Sequence, residues 1–277
     1  MDNRPIGIFD SGLGGLTVLR AIHELLPKEN LVYFGDSGRT PYGTKSKETV
    51  IKYTFQDINF LLKQDVKMIV IACNTASACS LKVVKEAFDI PIVEVVEPGS
   101  KAACKQSKTG SIAVIGTPAT ISSGVYETAI KDCKPDARVY GKACPLFVPL
   151  VEEGWWEGEI SEKIAYEYLK EYKNTDVDTL ILGCTHYPML QNVIRKVLGE
   201  SVSLVNSAVE VANAVRRLLD ENGLQGKNDK STIKYYTSDS IDKFTALGNM
   251  FLGLEMENVE KINIEVEYDK GAYYDAI

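Results

Sequence analysis

Two stretches far apart in this 277-residue chain read almost alike: Ile69-Val70-Ile71-Ala72-Cys73-Asn74-Thr75 and Leu180-Ile181-Leu182-Gly183-Cys184-Thr185-His186. Each is an apolar run that stops at a cysteine, so one reaction centre is offered two thiols. Aligning Asp65-Val66 with Asp176-Val177 puts Cys73 opposite Cys184, and the segments that follow, 81–85 and 192–196, both read as helix. Inverting a stereocentre by proton transfer needs a base on one face of the carbon and an acid on the other. Thiols have an ordinary pKa of about 8.5, so small shifts let one act as thiolate while its partner stays protonated. A redox pair would need the sulfurs to touch, and nothing in the spacing requires that.

The elements that must carry these residues follow from the apolar pattern. Strand-like runs at 6–9, 31–34, 67–72, 92–96, 111–116, 137–141, 178–183 and 202–205 have helix-like segments between most of them, which predicts parallel α/β sheets. Strands buried on both faces explain why 68–72 and 180–182 are continuously apolar. Ligands then bind beyond the carboxyl ends of the strands. A cysteine placed there and followed by a helix start meets unpaired amides that favour the thiolate.

Ile6-Gly7-Ile8-Phe9 followed by Asp10-Ser11-Gly12 is echoed by Ile112-Ala113-Val114-Ile115 followed by Gly116-Thr117. The expected fold is therefore α/β, with two similar domains of mainly parallel sheets related by a pseudo-twofold axis. The first half-repeat runs to a crossing point near Pro98-Gly99 and the second ends before a helix around 209–219. A strand over 232–237 then returns to the first half, with a polar loop over 223–230. This gives a discontinuous first domain, 1–97 plus 208–277, and a second over 98–207.

Composition narrows the function. With 45% apolar and 25% charged residues the chain suits two globular cores, and a net charge of −7 leaves no basic patch for nucleic acid. No run reaches the roughly 20 apolar residues of a membrane span, and Met1-Asp2-Asn3-Arg4-Pro5 leads into a strand, so a cytoplasmic protein without a membrane partner is expected. Six cysteines, none in a C-x-x-C pair, predict reduced thiols, with Cys79, Cys104, Cys133 and Cys144 in structural roles. Two histidines, His23 and His186, do not imply a metal. The glycines at 12, 14 and 15 match neither G-x-G-x-x-G nor a Walker loop.

Four blocks in order carry a wider resemblance: Asp10-Ser11-Gly12-Leu13-Gly14-Gly15, Gly35-Asp36 with Pro41-Tyr42-Gly43, Ala72-Cys73-Asn74-Thr75-Ala76-Ser77, and Gly183-Cys184-Thr185-His186-Tyr187-Pro188. Together they resemble bacterial glutamate racemase over essentially the whole chain. The resemblance implies a cofactor-independent enzyme of two α/β domains, a homodimer that interconverts L- and D-glutamate for peptidoglycan at a site between its domains. Cys73 resembles the base acting on D-glutamate and Cys184 the base acting on L-glutamate. Asp10 is expected near the substrate ammonium, and Ser11, Tyr42, Gly43, Asn74, Thr75, Thr117, Thr120, Thr185 and His186 around the rest of the ligand. Related aspartate racemases typically carry glutamate in place of His186, so glutamate is favoured as substrate.

Outside the blocks, Glu152 is a candidate to orient His186, Trp155-Trp156 reads as cover over a loop or a subunit contact, and His23 as exposed. A pyridoxal cofactor is not expected, because no lysine occurs in the strand-end motifs. Two alternatives are a racemase of aspartate or another acidic amino acid, and a non-catalytic glutamate-binding or regulatory protein. Matching cysteines count against the second, since binding alone needs no acid and base pair.

Overall fold

Among the residues that the computed structural model describes, 1–253 and 255–264, the apolar runs become ten strands. These are β1 (Ile6–Asp10), β2 (Leu31–Gly35), β3 (Met68–Ile71), β4 (Ile92–Glu94) and β5 (Ser111–Gly116), then β6 (Arg138–Ala143), β7 (Thr179–Gly183), β8 (Ser203–Val205), β9 (Ile233–Thr237) and β10 (Val259–Lys261). They form two sheets, ordered β10-β9-β2-β1-β3-β4 and β6-β5-β7-β8. Every pairing is parallel. The run β2-β1-β3-β4 repeats the order β6-β5-β7-β8, so the echo between 6–9 and 112–115 reflects equivalent central strands.

Central strands β1, β3, β5 and β7 are buried throughout, as their uninterrupted apolar character requires. Their register sets the chemistry. Phe9 lies beside Ile71, so β1 and β3 end together and deliver Asp10 and Cys73 to one edge. Gly116 lies beside Gly183, so Thr117 and Cys184 emerge together from the second sheet.

The chain crosses between the sheets twice. The first crossing comes earlier than Pro98-Gly99, because β4 ends at Glu94 and its carboxylate accepts the amides of Val96 (2.5 Å) and Glu97 (2.8 Å) to open the helix Val96–Gln106. Pro98 falls in the first turn of that helix, where its missing N–H costs no bond. The second crossing follows β8, where the Asn206 side chain caps the helix Ser207–Asn222 through the amide of Ala208 (3.1 Å). The two crossing helices touch at Gly99, where a Cβ would lie 2.5 Å from Ser207 Oγ. Beyond the second helix the tail returns to the first sheet, with β9 paired to β2 and β10 to β9. Residues 265–277, assigned from sequence to the first domain, lie outside the described residues.

Two expectations change, for the Cys104 and Cys133 thiols and for His23. Cys104 and Cys133, read as reduced thiols, are joined in a disulfide between the helices Val96–Gln106 and Val125–Cys133, with Cα atoms 6.7 Å apart. Their separation of 29 residues matches no recurrent motif, and only the side-by-side packing of those helices brings them together. His23 is half-buried instead of exposed, on the helix Leu16–Leu25. Of the tryptophan pair, Trp155 is half exposed, whereas Trp156 donates its indole N–H to the carbonyl of Val151 (2.9 Å) and packs edge-on against Phe251. No helix among the described residues is long and apolar enough to cross a membrane.

Opposite the site end of the first sheet, Lys67 is fully buried against Glu29, with Nζ 2.5 Å from Oε2. Nζ also donates to the carbonyls of Asp2 (2.7 Å) and Leu224 (2.8 Å), and Glu29 accepts the amide of Gly226 (2.6 Å). One ion pair thus pins the N-terminal segment and the 223–230 loop to the sheet. Lys67→Met leaves the Glu29 carboxylate buried and unpaired, so urea denaturation should show a loss of about 3–5 kcal/mol. A midpoint equal to the parent's would remove this role from Lys67.

Candidate active site

Cys73 stands one residue beyond the end of β3, after Ala72, and caps the helix Asn74–Ala87, its sulfur accepting the amide of Ala76 (3.4 Å). Cys184 follows β7 but precedes a 3-10 turn, Tyr187–Leu190, with Pro188 in its first turn, and the α-helix begins only at Gln191. The expected helix start is therefore present after Cys73 and deferred after Cys184. In its place the Cys184 sulfur has the ring of His186, with Nδ1 at 4.0 Å. Both cysteines are buried, at 4% and 6% exposure, so bulk water does not compete at either sulfur.

Asp10 joins the two halves. It is fully buried at the end of β1, and its carboxylate accepts the amide of Gly12 (3.1 Å) and the hydroxyl of Thr185 (3.4 Å), the residue after Cys184. The glycine run beside it is dictated by space. A Cβ on Gly14 would strike Thr185 and His186, and one on Gly15 would come within 2.5 Å of the Asp10 side chain. Burial pushes the Asp10 carboxyl up against the opposing charge of His186 and the neighbouring amides.

The same carboxylate acts on the first thiol. Burial pushes Cys73 far up and the charge of Asp10 adds to it, outweighing the Ala76 amide that favours a thiolate. The helix terminus alone does not activate this cysteine, contrary to the expectation from its position. On the other side, burial alone would lower the pKa of His186, but its contacts with Cys184 and Glu152 and the charge of Asp10 prevail and push it up to about 10. Glu152 Oε1 stands 3.6 Å from His186 Nε2, an ion-pair distance, and His186 draws the Glu152 carboxyl below its ordinary value. The imidazole also meets Phe251 edge-on at 5.6 Å, so a residue of the returning tail backs the site.

Hydroxyls and amides from both sheets complete the arrangement. Thr75, Thr117 and Thr120 form a closed triangle of hydroxyl contacts, 2.9, 3.0 and 3.3 Å, across the interface. Gly43 packs so tightly on Thr117 that a Cβ there would lie 2.5 Å from Thr117 Cβ. Ser11 and Asn74 are buried at the ends of β1 and β3. This collection of neutral donors, strand-end amides and two thiols around one carboxylate suits an anionic ligand that carries a cationic group.

An Asp/Glu/Hydantoin racemase family model matches residues 6–215. The chain belongs to this family. It is 46% identical to the glutamate racemase of Geobacter metallireducens over 95% of this chain and 98% of that protein. A glutamate racemase of Streptococcus thermophilus is also 46% identical, over 97% of this chain and 99% of the relative. Among solved structures, the glutamate racemase of Francisella tularensis in complex with D-glutamate superimposes with a TM-score of 0.91 at 40% identity, covering 96% of this chain and 100% of that one. The protein is thus an isomerase of the racemase family.

Tyr42, expected beside the ligand, has its side chain committed elsewhere in this racemase. Its hydroxyl hydrogen-bonds to Asp36 and to Asp57 (2.9 Å), leaving only the backbone of the Tyr42–Thr44 turn for a ligand. Arg39 binds the same two carboxylates, at 2.6 and 2.9 Å, together with Gln56, and lies over the ring of Tyr53. Burial and the charge of Asp36 push Asp57 well up, which favours a proton retained inside this cluster. Asp36 belongs to a recognisable motif, but Arg39, Gln56 and Asp57 carry no sequence signal that separates them from surface residues. Tyr126, whose hydroxyl reaches Asn74 Oδ1, likewise carries no such signal.

The raised pKa of His186 makes stability depend on pH. Its contribution is complete below pH 6.5, the unfolded value, and declines as pH rises toward about 10, because only the folded state holds the proton that tightly. The difference in unfolding free energy between the parent and His186→Asn should therefore shrink across that window in urea titrations. A difference that is flat with pH would contradict a charged His186.

Proposed function

We propose that the protein is a glutamate racemase that interconverts L- and D-glutamate through Cys73 and Cys184, without a cofactor. The observation that carries this reading is that Cys73 and Thr185, the residue after Cys184, meet the Asp10 carboxylate from equivalent strands of the two sheets. The identity with proteins named glutamate racemase over nearly the whole chain supports the choice of substrate. In this reading the chain forms two domains, 1–97 with 208–277 and 98–207, with the substrate between them. The enzyme works as a cytoplasmic homodimer and supplies D-glutamate for peptidoglycan.

The substrate ammonium pairs with Asp10. That contact offsets the negative charge that opposes ionisation of Cys73, so substrate binding itself favours the thiolate. Ser11, Asn74, Thr75, Thr117, Thr120, Thr185 and the backbone of Tyr42 and Gly43 donate to the two carboxylates. With D-glutamate bound, the Cys73 thiolate takes the α-proton, the electron pair stays on the substrate as a carbanion held by those donors, and the Cys184 thiol gives its proton to the opposite face. L-glutamate follows the reverse path. His186, held by Glu152, keeps a cation beside Cys184 throughout. Each turnover exchanges the protonation states of the two sulfurs, so solvent must restore them or the next substrate must run backwards.

Near-attack contacts of about 3–3.5 Å on both sides of one carbon put the sulfurs roughly 6–8 Å apart in a complex with glutamate. Sulfurs bonded to each other or on opposite surfaces of such a crystal would refute the mechanism. In heavy water the parent should place deuterium at the α-carbon of the product. Racemisation should collapse in Cys73→Ala and in Cys184→Ala, with residual α-proton abstraction confined to L-glutamate in the first and D-glutamate in the second. Either variant, folded by circular dichroism and racemising near the parent rate, would show that two cysteines are not required.

A further inference from the structure

We propose that Tyr126 is a positioning residue that holds the side-chain amide of Asn74 from across the interface, so that the amide N–H groups face the substrate. Tyr126 lies in the first turn of the helix Val125–Cys133, which packs with the second sheet, whereas Asn74 opens the helix that follows Cys73 and β3. The two are 52 residues apart, and the phenol donates to Asn74 Oδ1 at 2.5 Å. Both residues are buried, at 3% and 4% exposure.

A side-chain amide is ambiguous as a binding group, because it presents an acceptor or two donors depending on a half-turn. A buried phenol that gives its proton to Oδ1 removes the ambiguity. Burial, with the nearby carboxylate of Glu94, pushes the Tyr126 hydroxyl far up, so it stays a donor. Among the described residues no group accepts from Asn74 Nδ2, and that nitrogen is absent from the fully buried unpaired atoms. Both of its hydrogens are therefore available to a carboxylate, whereas the opposite orientation would set a carbonyl oxygen against the anion. The inference rests on the reading of Asn74 as a substrate ligand. It adds what fixes the polarity of that ligand and makes it depend on both halves being together.

The test is a double-mutant cycle of Tyr126→Phe and Asn74→Ala in the full-length enzyme, with kcat and KM measured in both directions. Tyr126→Phe keeps the ring and should lower kcat/KM about tenfold, mainly through KM, the scale of one lost hydrogen bond that leaves a buried acceptor unpaired. In the Asn74→Ala background the same change should cost less than twofold. Equal factors in both backgrounds, or no effect of Tyr126→Phe on either constant, would overturn the inference. Unchanged kinetics in Asn74→Ala would instead overturn the assignment of Asn74 as a ligand, and the inference with it. Asn74→Asp supplies an arm that does not depend on altering Tyr126, because it keeps an acceptor for the phenol while replacing the cleft-facing donor with an oxygen. It should retain the thermal midpoint and raise KM more than tenfold, whereas a lowered KM would mean that the amide faces the other way.

Discussion

A carboxylate buried completely at the end of β1 is the constraint around which the rest of the site is arranged. Asp10 cannot sit there unpartnered, since an unpaired buried charge costs several kcal/mol. Its partners are the amide of Gly12 on its own loop and the hydroxyl of Thr185 from the other sheet. Those contacts fix where the second half can dock, and they impose the bare glycines that let its residues approach. Burial is the larger push on Cys73, and Cys184 and Glu152 are the larger pulls on His186, but the Asp10 charge adds to both, so one oxygen pair is felt on both sides.

The two sides are alike in scaffold and unlike in chemistry. Equivalent strands bring each cysteine to the edge, but Cys73 meets a helix amide and a carboxylate, whereas Cys184 meets an imidazole backed by Glu152. Repetition of the fold therefore supplies position, and the residues that follow each cysteine supply the difference. For a reaction run in both directions, that asymmetry leaves each direction with its own means of preparing the base.

Much of this was legible in the sequence because buried parallel strands announce themselves as continuous apolar runs. The predicted strands from 6–9 to 202–205 all formed, with ends displaced by at most two residues, and the twin cysteines landed at matching strand ends. Contacts made by single polar side chains over long separations were not legible. Tyr126 reads as one more apolar position on a short helix, and nothing near it in sequence points to Asn74. Arg39 and Asp57 look like ordinary surface charges until folding buries them together, and Cys104 with Cys133 gives no pairing signal. The short β10 escaped because its three residues, with two charged, lack any apolar pattern.

The pair of crossings near Val95 and Asn206 has a mechanical consequence. A body tied to another by one flexible strand can swing and twist in any direction. Ties at two neighbouring points leave free only the rotation about the line that joins them. Here the two ties run into helices that meet at Gly99 and Ser207, where only the small Ser207 side chain lies between them. Any hinging of one sheet against the other is thereby reduced to a single degree of freedom, like a book turning on its spine, and each strand end keeps the same opposite number.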